Sequence, residues 1–379
     1  MIKELNQWLK LHHTDMLAEL EELVNMESPS DRKDLLDAFS ANLAAKFEAL
    51  GAKTQVIPQA KAGNHLRVEY GTGSEQVLLL CHFDTVFSAG TTATRPYQYD
   101  PVTGKATGPG VLDMKAGILA SLWALKAFEA LKLEPKLRVV ILFNSDEEVG
   151  STTSRAHIEA EALKSKTVFV LEPGTGPKGA YKLWRKGTGG FQVKVTGKAS
   201  HAGSNPEEGI SAIDELSYVI QKIHSFNNPI TGTTLNVGVI GGGTRGNVVA
   251  EEAWAKVDLR VMTQAEGDKV VREILAIQPV GKAKVEITGG LNRPPMERHA
   301  KAVALYEKAN CLAQELGFSY EQGGTGGGSD GNFTAALGVP TLDGMGGVGH
   351  GAHSSDEYMF VDQLPVRTAI LAELIRELE

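Results

Sequence analysis

Val77-Leu78-Leu79-Leu80-Cys81-His82-Phe83-Asp84 runs four apolar residues straight into an imidazole and a carboxylate. A run without polar alternation belongs to a strand buried on both faces. Val139-Val140-Ile141-Leu142-Phe143 and Val168-Phe169-Val170-Leu171 repeat it. An apolar helical stretch lies between the first two, roughly over 116–131. Buried strands separated by helices predict a mainly parallel sheet covered on both faces, hence an α/β domain. Upstream, Met16, Leu17, Leu20, Leu23 and Val24 share one helix face. Leu35, Leu36, Phe39, Leu43, Phe47 and Leu50 share the face of a second helix, which stops at Gly51. Two amphipathic helices are thus expected to open the chain. Downstream of Pro294 the α/β pattern resumes, with a helix, a Gly-rich loop, a short strand at 339–342 and a last helix from about Leu364.

The pattern changes near residue 187. Phe191, Val193 and Val195 alternate as in a half-exposed strand. A helix is predicted next, with Asn205 as N-cap, Pro206 at N1, and Ile210, Ile213, Leu216, Ile220 and Ile223 on its buried side. Strands at 233–240 and 253–262, a helix at 269–277 and a strand at 284–287 follow. The order β-α-β-β-α-β is the ferredoxin-like one. A small α+β domain over 187–291 is therefore inserted into a domain built from 1–186 and 292–379. Lys186-Gly187-Thr188-Gly189-Gly190 reads as a hinge between them.

With 379 residues, the chain is long enough for two domains. Its 46 acidic and 38 basic residues leave a net charge of −8, which disfavours nucleic acid and anionic membranes as partners. Two cysteines, Cys81 and Cys311, make no disulfide framework. The N-terminal residues show no secretion signal, and no apolar run reaches membrane-spanning length. A cytoplasmic protein is expected.

Acidic and histidine residues collect just past the buried strands: His82 and Asp84, then Asp146, Glu147 and Glu148, then Glu172. Asp113 precedes a helix, and His353 follows the 339–342 strand. Ligands of open α/β sheets bind at the carboxyl ends of strands. A crowd of carboxylates there needs cations, and imidazole with carboxylate suits zinc, or less distinctively manganese or cobalt. Each residue alone has an ordinary explanation as a cap or a solvated loop residue. The joint pattern is what points to a metal site.

Further matching segments are Gly108-Pro109-Gly110-Val111-Leu112-Asp113-Met114-Lys115, Ser145-Asp146-Glu147-Glu148-Val149-Gly150-Ser151, Leu171-Glu172-Pro173, Gly197-Lys198-Ala199-Ser200-His201-Ala202-Gly203 and His353-Ser354-Ser355-Asp356-Glu357-Tyr358. With the Cys81–Val86 segment they resemble, in order, the zinc aminoacylase and carboxypeptidase metallopeptidase family, and within it glutamate carboxypeptidases of the folate-cleaving type. The resemblance implies a zinc-exopeptidase-like three-layer αβα catalytic domain with a ferredoxin-like lid and dimerisation domain. It implies two zinc ions per chain, one on His82, Asp113 and Glu172, the other on Asp113, Glu148 and His353, with Asp113 bridging. Glu147 would be the general base and then acid, Asp84 the partner orienting His82, and His201 the oxyanion donor, supplied across a homodimer. Asn247 and Arg293 would contact substrate. Arg260 is a further candidate from the pattern alone, on the strand face opposite Val257, Leu259 and Val261. Ser329 lies where the Gly-rich loop meets a helix N-terminus whose N–H groups would hold a substrate carboxylate. Cys81 replaces a usual glycine, Ala116 another, and Ala250 a usual proline, and none of these removes a ligand.

The implied substrate is a small peptide or N-acyl amino acid, cut beside a free carboxylate to release a C-terminal residue such as glutamate. The rival is an N-acyl-amino-acid deacylase of the acetylornithine or succinyl-diaminopimelate type. A binding protein without catalysis is disfavoured by the presence of Glu147 beside all five ligands. Two motifs are decoys. Gly344-Met345-Gly346-Gly347-Val348-Gly349 fits a dinucleotide fingerprint, but no helix opens at its third glycine. Gly327-Gly328-Ser329-Asp330-Gly331 fits a nucleophile elbow, but no apolar strand precedes it.

Overall fold

The computed structural model describes residues 1–378. The chain packs as two compact units: 1–184 with 298–325 and 329–379, and 185–297 with 326–328.

The first unit is built on a six-stranded sheet in the order Lys53–Ile57, His65–Tyr70, Arg138–Asn144, Gln76–His82, Ser165–Val170, Thr341–Leu342. The last four strands are parallel and the first two antiparallel. Every residue of Gln76–His82 is buried. Alternate residues serve opposite faces, as strand geometry requires. Val77, Leu79 and Cys81 pack with helices Ala116–Leu131 and Gln363–Glu377, while Leu78 and Leu80 pack with Ile158, Ala162 and Phe333 of helices Arg155–Ala162 and Gly331–Ala336. These are the three αβα layers.

One helix more than expected opens the chain. Ile2–Leu11 precedes His13–Asn25 and Lys33–Glu48, and buries Ile2, Leu5 and Leu9. The antiparallel strand Lys53–Ile57 was likewise unforeseen, because an edge strand this exposed carries no apolar alternation.

The second unit is an antiparallel sheet in the order Thr234–Gly242, Glu252–Val261, Gly187–Thr196, Lys284–Arg293, with helices Ala212–His224 and Gln264–Leu275. This is the ferredoxin-like order. The helix expected from Asn205 begins later. Pro206–Glu208 is a single 3₁₀ turn, Gly209 is extended, and the helix starts at Ala212 with the Ser211 hydroxyl accepting the Asp214 N–H at 3.2 Å. That cap, worth about 1 kcal/mol, outcompetes Asn205-Pro206. Leu216 and Ile223 face the core as expected, together with Ala212 and Val219, but Ile213, assigned to the buried side, is 48% exposed.

The glycines of the expected hinge lie within a paired strand. Gly187–Thr196 and Lys284–Arg293 form one continuous ladder, with Arg293 opposite Thr188, and an Arg185–Met296 bridge extends it through two 3.0 Å hydrogen bonds. The glycines serve close approach: a Cβ on Gly289, whose φ is +135°, would collide with the Gly190 carbonyl. Residues 185–196 and 284–296 thus run as a hydrogen-bonded ribbon within the second unit.

Candidate active site

The carboxyl ends of the parallel strands deliver the side chains. His82 ends its strand, Glu172 lies two residues past Val170, and Glu147 and Glu148 sit in the turn after Asn144. Asp113 lies in an irregular segment, Val111–Lys115, where its backbone leaves the helical path (φ −114°, ψ 96°). His353 adopts a left-handed φ of +66° in the loop after Gly349–His350.

Among the described residues, two triplets gather their ligand atoms within 4.8 Å: His82, Asp113, Glu172 and Asp113, Glu148, His353. His82 Nε2 is 3.2 Å from Asp113 Oδ1 and 3.3 Å from Glu172 Oε1. His353 Nε2 is 3.3 Å from Asp113 Oδ2 and 3.1 Å from Glu148 Oε2. Asp113 therefore offers one oxygen to each triplet. The donor set fits zinc, which takes imidazole nitrogen and carboxylate oxygen.

His82 Nδ1 lies 3.0 Å from the Asp84 carbonyl and 3.5 Å from the Asp84 carboxylate, so the backbone oxygen is the nearer acceptor for its proton. Donation there leaves the Nε2 lone pair for a metal. The fully buried Asp84 carboxylate has another duty: it accepts the N–H groups of Glu147 and Glu148 at 3.1 and 3.2 Å and the Ser30 hydroxyl at 2.8 Å. It thus ties His82 to the turn that bears both glutamates. Ser30 had no sequence signal. Cys81 is buried, and burial pushes its thiol well above the ordinary range, so it is no ligand as it stands.

Without metal, the site holds protons. Asp113 and Glu148 push His353 up to about 11. Burial opposes charge on His82, but Asp113, Asp84 and Glu172 outweigh it and raise that imidazole well above its usual value. His353 is then protonated at pH 7, and a metal must displace its proton. Zinc added to metal-free protein in dilute buffer at pH 7 is expected to acidify the solution, and zinc affinity is expected to rise with pH. Calorimetry in buffers of different ionisation enthalpy measures the release. Zinc binding without it would mean that the His353 ring is already neutral.

In the second unit, His201 is exposed, and its Nδ1 accepts the N–H groups of Gly203 and Ser204 at 3.1 and 3.0 Å. Two donors on Nδ1 place the ring proton on Nε2. Asn247 is exposed, its carbonyl accepting the Ala202 N–H at 3.0 Å. Arg260 shares a strand face opposite the buried Val257, Leu259 and Val261, and pairs with Asp258 through Nε and Nη2 at 2.9 and 3.0 Å. Arg293 is buried at the end of its strand, against Gly328.

Ser329 faces inward. It is 0% exposed, its hydroxyl donates to Asp343 at 2.7 Å and accepts the Gly331 N–H at 3.1 Å. The Asn332 N–H bonds the Ser329 carbonyl and the Phe333 N–H bonds that of Asp330. The N–H groups of Gly331, Asn332 and Phe333 are thus taken up within the loop. The dinucleotide-like run is a packing device: a Cβ on Gly346 would collide with the Leu171 carbonyl, and the Gly346 N–H bonds the Glu172 carbonyl at 2.8 Å.

The profile of peptidase family M20/M25/M40 matches residues 78–377. The chain belongs to that family. Carboxypeptidase G2 of Pseudomonas sp. (strain RS-16) is 29% identical over 367 residues, 95% of this chain and 88% of that protein. An acetylornithine deacetylase from Edwardsiella ictaluri (strain 93-146) is 26% identical over 362 residues, 88% of each chain. The crystal structure of a tripeptidase from Staphylococcus aureus subsp. aureus mu50 superposes with a TM-score of 0.79 at 22% identity, covering 96% of this chain and 98% of that one. This M20/M25/M40 member is a metallohydrolase of the exopeptidase and amidohydrolase kind. No helix among the described residues is long and apolar enough to cross a membrane.

Proposed function

We propose that the enzyme is a two-zinc carboxypeptidase that hydrolyses the amide bond ahead of a C-terminal amino acid, with glutamate as the residue released. The observation that carries the two-metal reading is Asp113 with one oxygen in each triplet. Zinc, when bound, polarises the scissile carbonyl and lowers the pKa of the attacking water. Glu147, next to the ligand Glu148 and held through its N–H by Asp84, takes the water's proton and gives it to the departing amine. His201 donates from Nε2 to the carbonyl oxygen as it becomes an oxyanion. Arg293 grips the substrate carboxylate and Asn247 adds a polar contact, while the Asp258 pairing makes Arg260 the weaker candidate.

Carboxypeptidase action is supported by the likeness to carboxypeptidase G2. The competing deacylase reading draws on the acetylornithine deacetylase relative. Steady-state kinetics on N-acyl-glutamates, folate-like amides, dipeptides and N-acetylornithine separate them. The proposal expects the highest kcat/KM on substrates ending in glutamate, and preference for N-acetylornithine would overturn it.

The enzyme is further proposed to be a cytoplasmic homodimer joined through the inserted unit. Both cysteines are free, as in reducing compartments. The outer edge strand Thr234–Gly242 leaves Val239 and Ile240 49% and 63% exposed, a surface for pairing. Sedimentation at micromolar concentration tests this, and a fully active monomer would refute it.

A further inference from the structure

Glu357 lies four residues past His353, is completely buried, and belongs to neither ligand triplet. Its carboxylate collects three backbone donors from the segment that carries Asp113. Oε1 accepts the N–H groups of Leu112 and Asp113 at 2.9 and 3.0 Å, and Oε2 accepts that of Gly110 at 3.0 Å. That segment needs an outside hold. Gly110 has a left-handed φ of +70°, and Asp113 and Met114 depart from helical angles. A carboxylate shared by two triplets has little tolerance, because each of its oxygens has its own partners to meet. A backbone shift that improves one bond spoils the other.

The loop from 351 to 357 is itself cross-braced. The Ser354 N–H bonds the Gly351 carbonyl at 3.0 Å, the Glu357 N–H bonds the Ser354 carbonyl at 3.3 Å, and the Arg95 guanidinium donates to that same carbonyl at 3.0 Å. One short loop thus presents the His353 ring to one oxygen of Asp113 while its far end holds the Asp113 backbone.

We propose that Glu357 is a positioning residue that fixes Asp113 as the bridge between the two metal sites, so that the 353–357 loop sets the spacing of the metal pair. The inference rests on the two-metal reading and concerns a residue outside both ligand triplets.

The test is Glu357→Gln, which keeps the volume but replaces one acceptor oxygen with an amino group, so that one or two of the three N–H groups face a donor. Zinc alone is titrated into metal-free wild type and variant against a chelating dye, and the melting temperature of each metal-free protein is recorded. The expected result is a second zinc bound about 10–100-fold more weakly, as for other residues that orient ligands. The metal-free melting temperature should stay within a few degrees, and kcat should fall with KM near wild type. Equal zinc affinities in variant and wild type would overturn the proposal. So would a lower melting temperature with unchanged zinc affinity, since that is a purely structural role. If the glutamine variant does not fold, Glu357→Asp serves, with the same expected direction and the same overturning results. Wild type that is fully active with one zinc would instead sink the two-metal reading, a failure visible before any variant is made.

Discussion

Glu147→Gln is expected to lower kcat by about 10²–10⁴ while zinc content stays at the wild-type level. The expectation rests on two adjacent carboxylates in different surroundings. Glu148 sits 3.1 Å from His353 within a ligand triplet, whereas Glu147 belongs to neither triplet. The N–H groups of both bond Asp84, so the turn keeps its path when one side chain becomes an amide. Glu148→Gln is the contrasting variant: it should lose metal, with activity falling as a consequence. Kinetics and metal analysis on the two proteins together decide the assignment. If Glu147→Gln retained activity within a few-fold of wild type, the proton shuttle would have to be another group.

The second large effect concerns His201. Its alanine variant is expected to lose about 10²–10³ in kcat, the range for removing one oxyanion donor, with zinc content unchanged and KM altered only a few-fold. The ring is already prepared for donation, since Gly203 and Ser204 occupy Nδ1 and leave the proton on Nε2. A rise in KM at constant kcat would make His201 a binding residue. The dimer proposal adds a sharper test. If His201 acts on the partner's metal site, Glu147→Gln and His201→Ala are each impaired alone, but coexpressed they form mixed dimers in which one site has both groups. Recovered activity supports action across the dimer, and its absence in verified mixed dimers places His201 within its own chain.

The site residues were legible where the fold puts chemistry at a predictable place. Uninterrupted apolar runs such as Val77–Leu80 announce a buried parallel strand, and whatever follows one stands at the sheet's carboxyl rim. Residue identity alone said less about direction. Ser329 matched a motif, yet its hydroxyl turns into the core toward Asp343. The glycines of 186–190 promised freedom but serve strand pairing. The helix expected from Asn205-Pro206 yielded to a better cap at Ser211, because two local signals competed within six residues. Glu357 was visible only as part of a motif, since no spacing rule says that a glutamate four residues past a ligand will gather backbone donors from a segment more than two hundred residues upstream.

The candidate ligands also enter the molecule at very different times. A chain leaves the ribosome N-terminus first, and domains tend to fold as they emerge. His82, Asp113 and Glu172 all precede the inserted unit, so one triplet has every member outside the ribosome before that unit has been made. The other triplet waits for His353, which is made only after the inserted unit, as is the edge strand Thr341–Leu342 of the sheet. The newborn protein therefore passes through a long interval as a potential one-metal species. On the proposed mechanism Glu147 is present throughout, but Asp113 meets the partners of its second oxygen only once His353 has been made, so two-metal hydrolysis waits for the 353–357 loop.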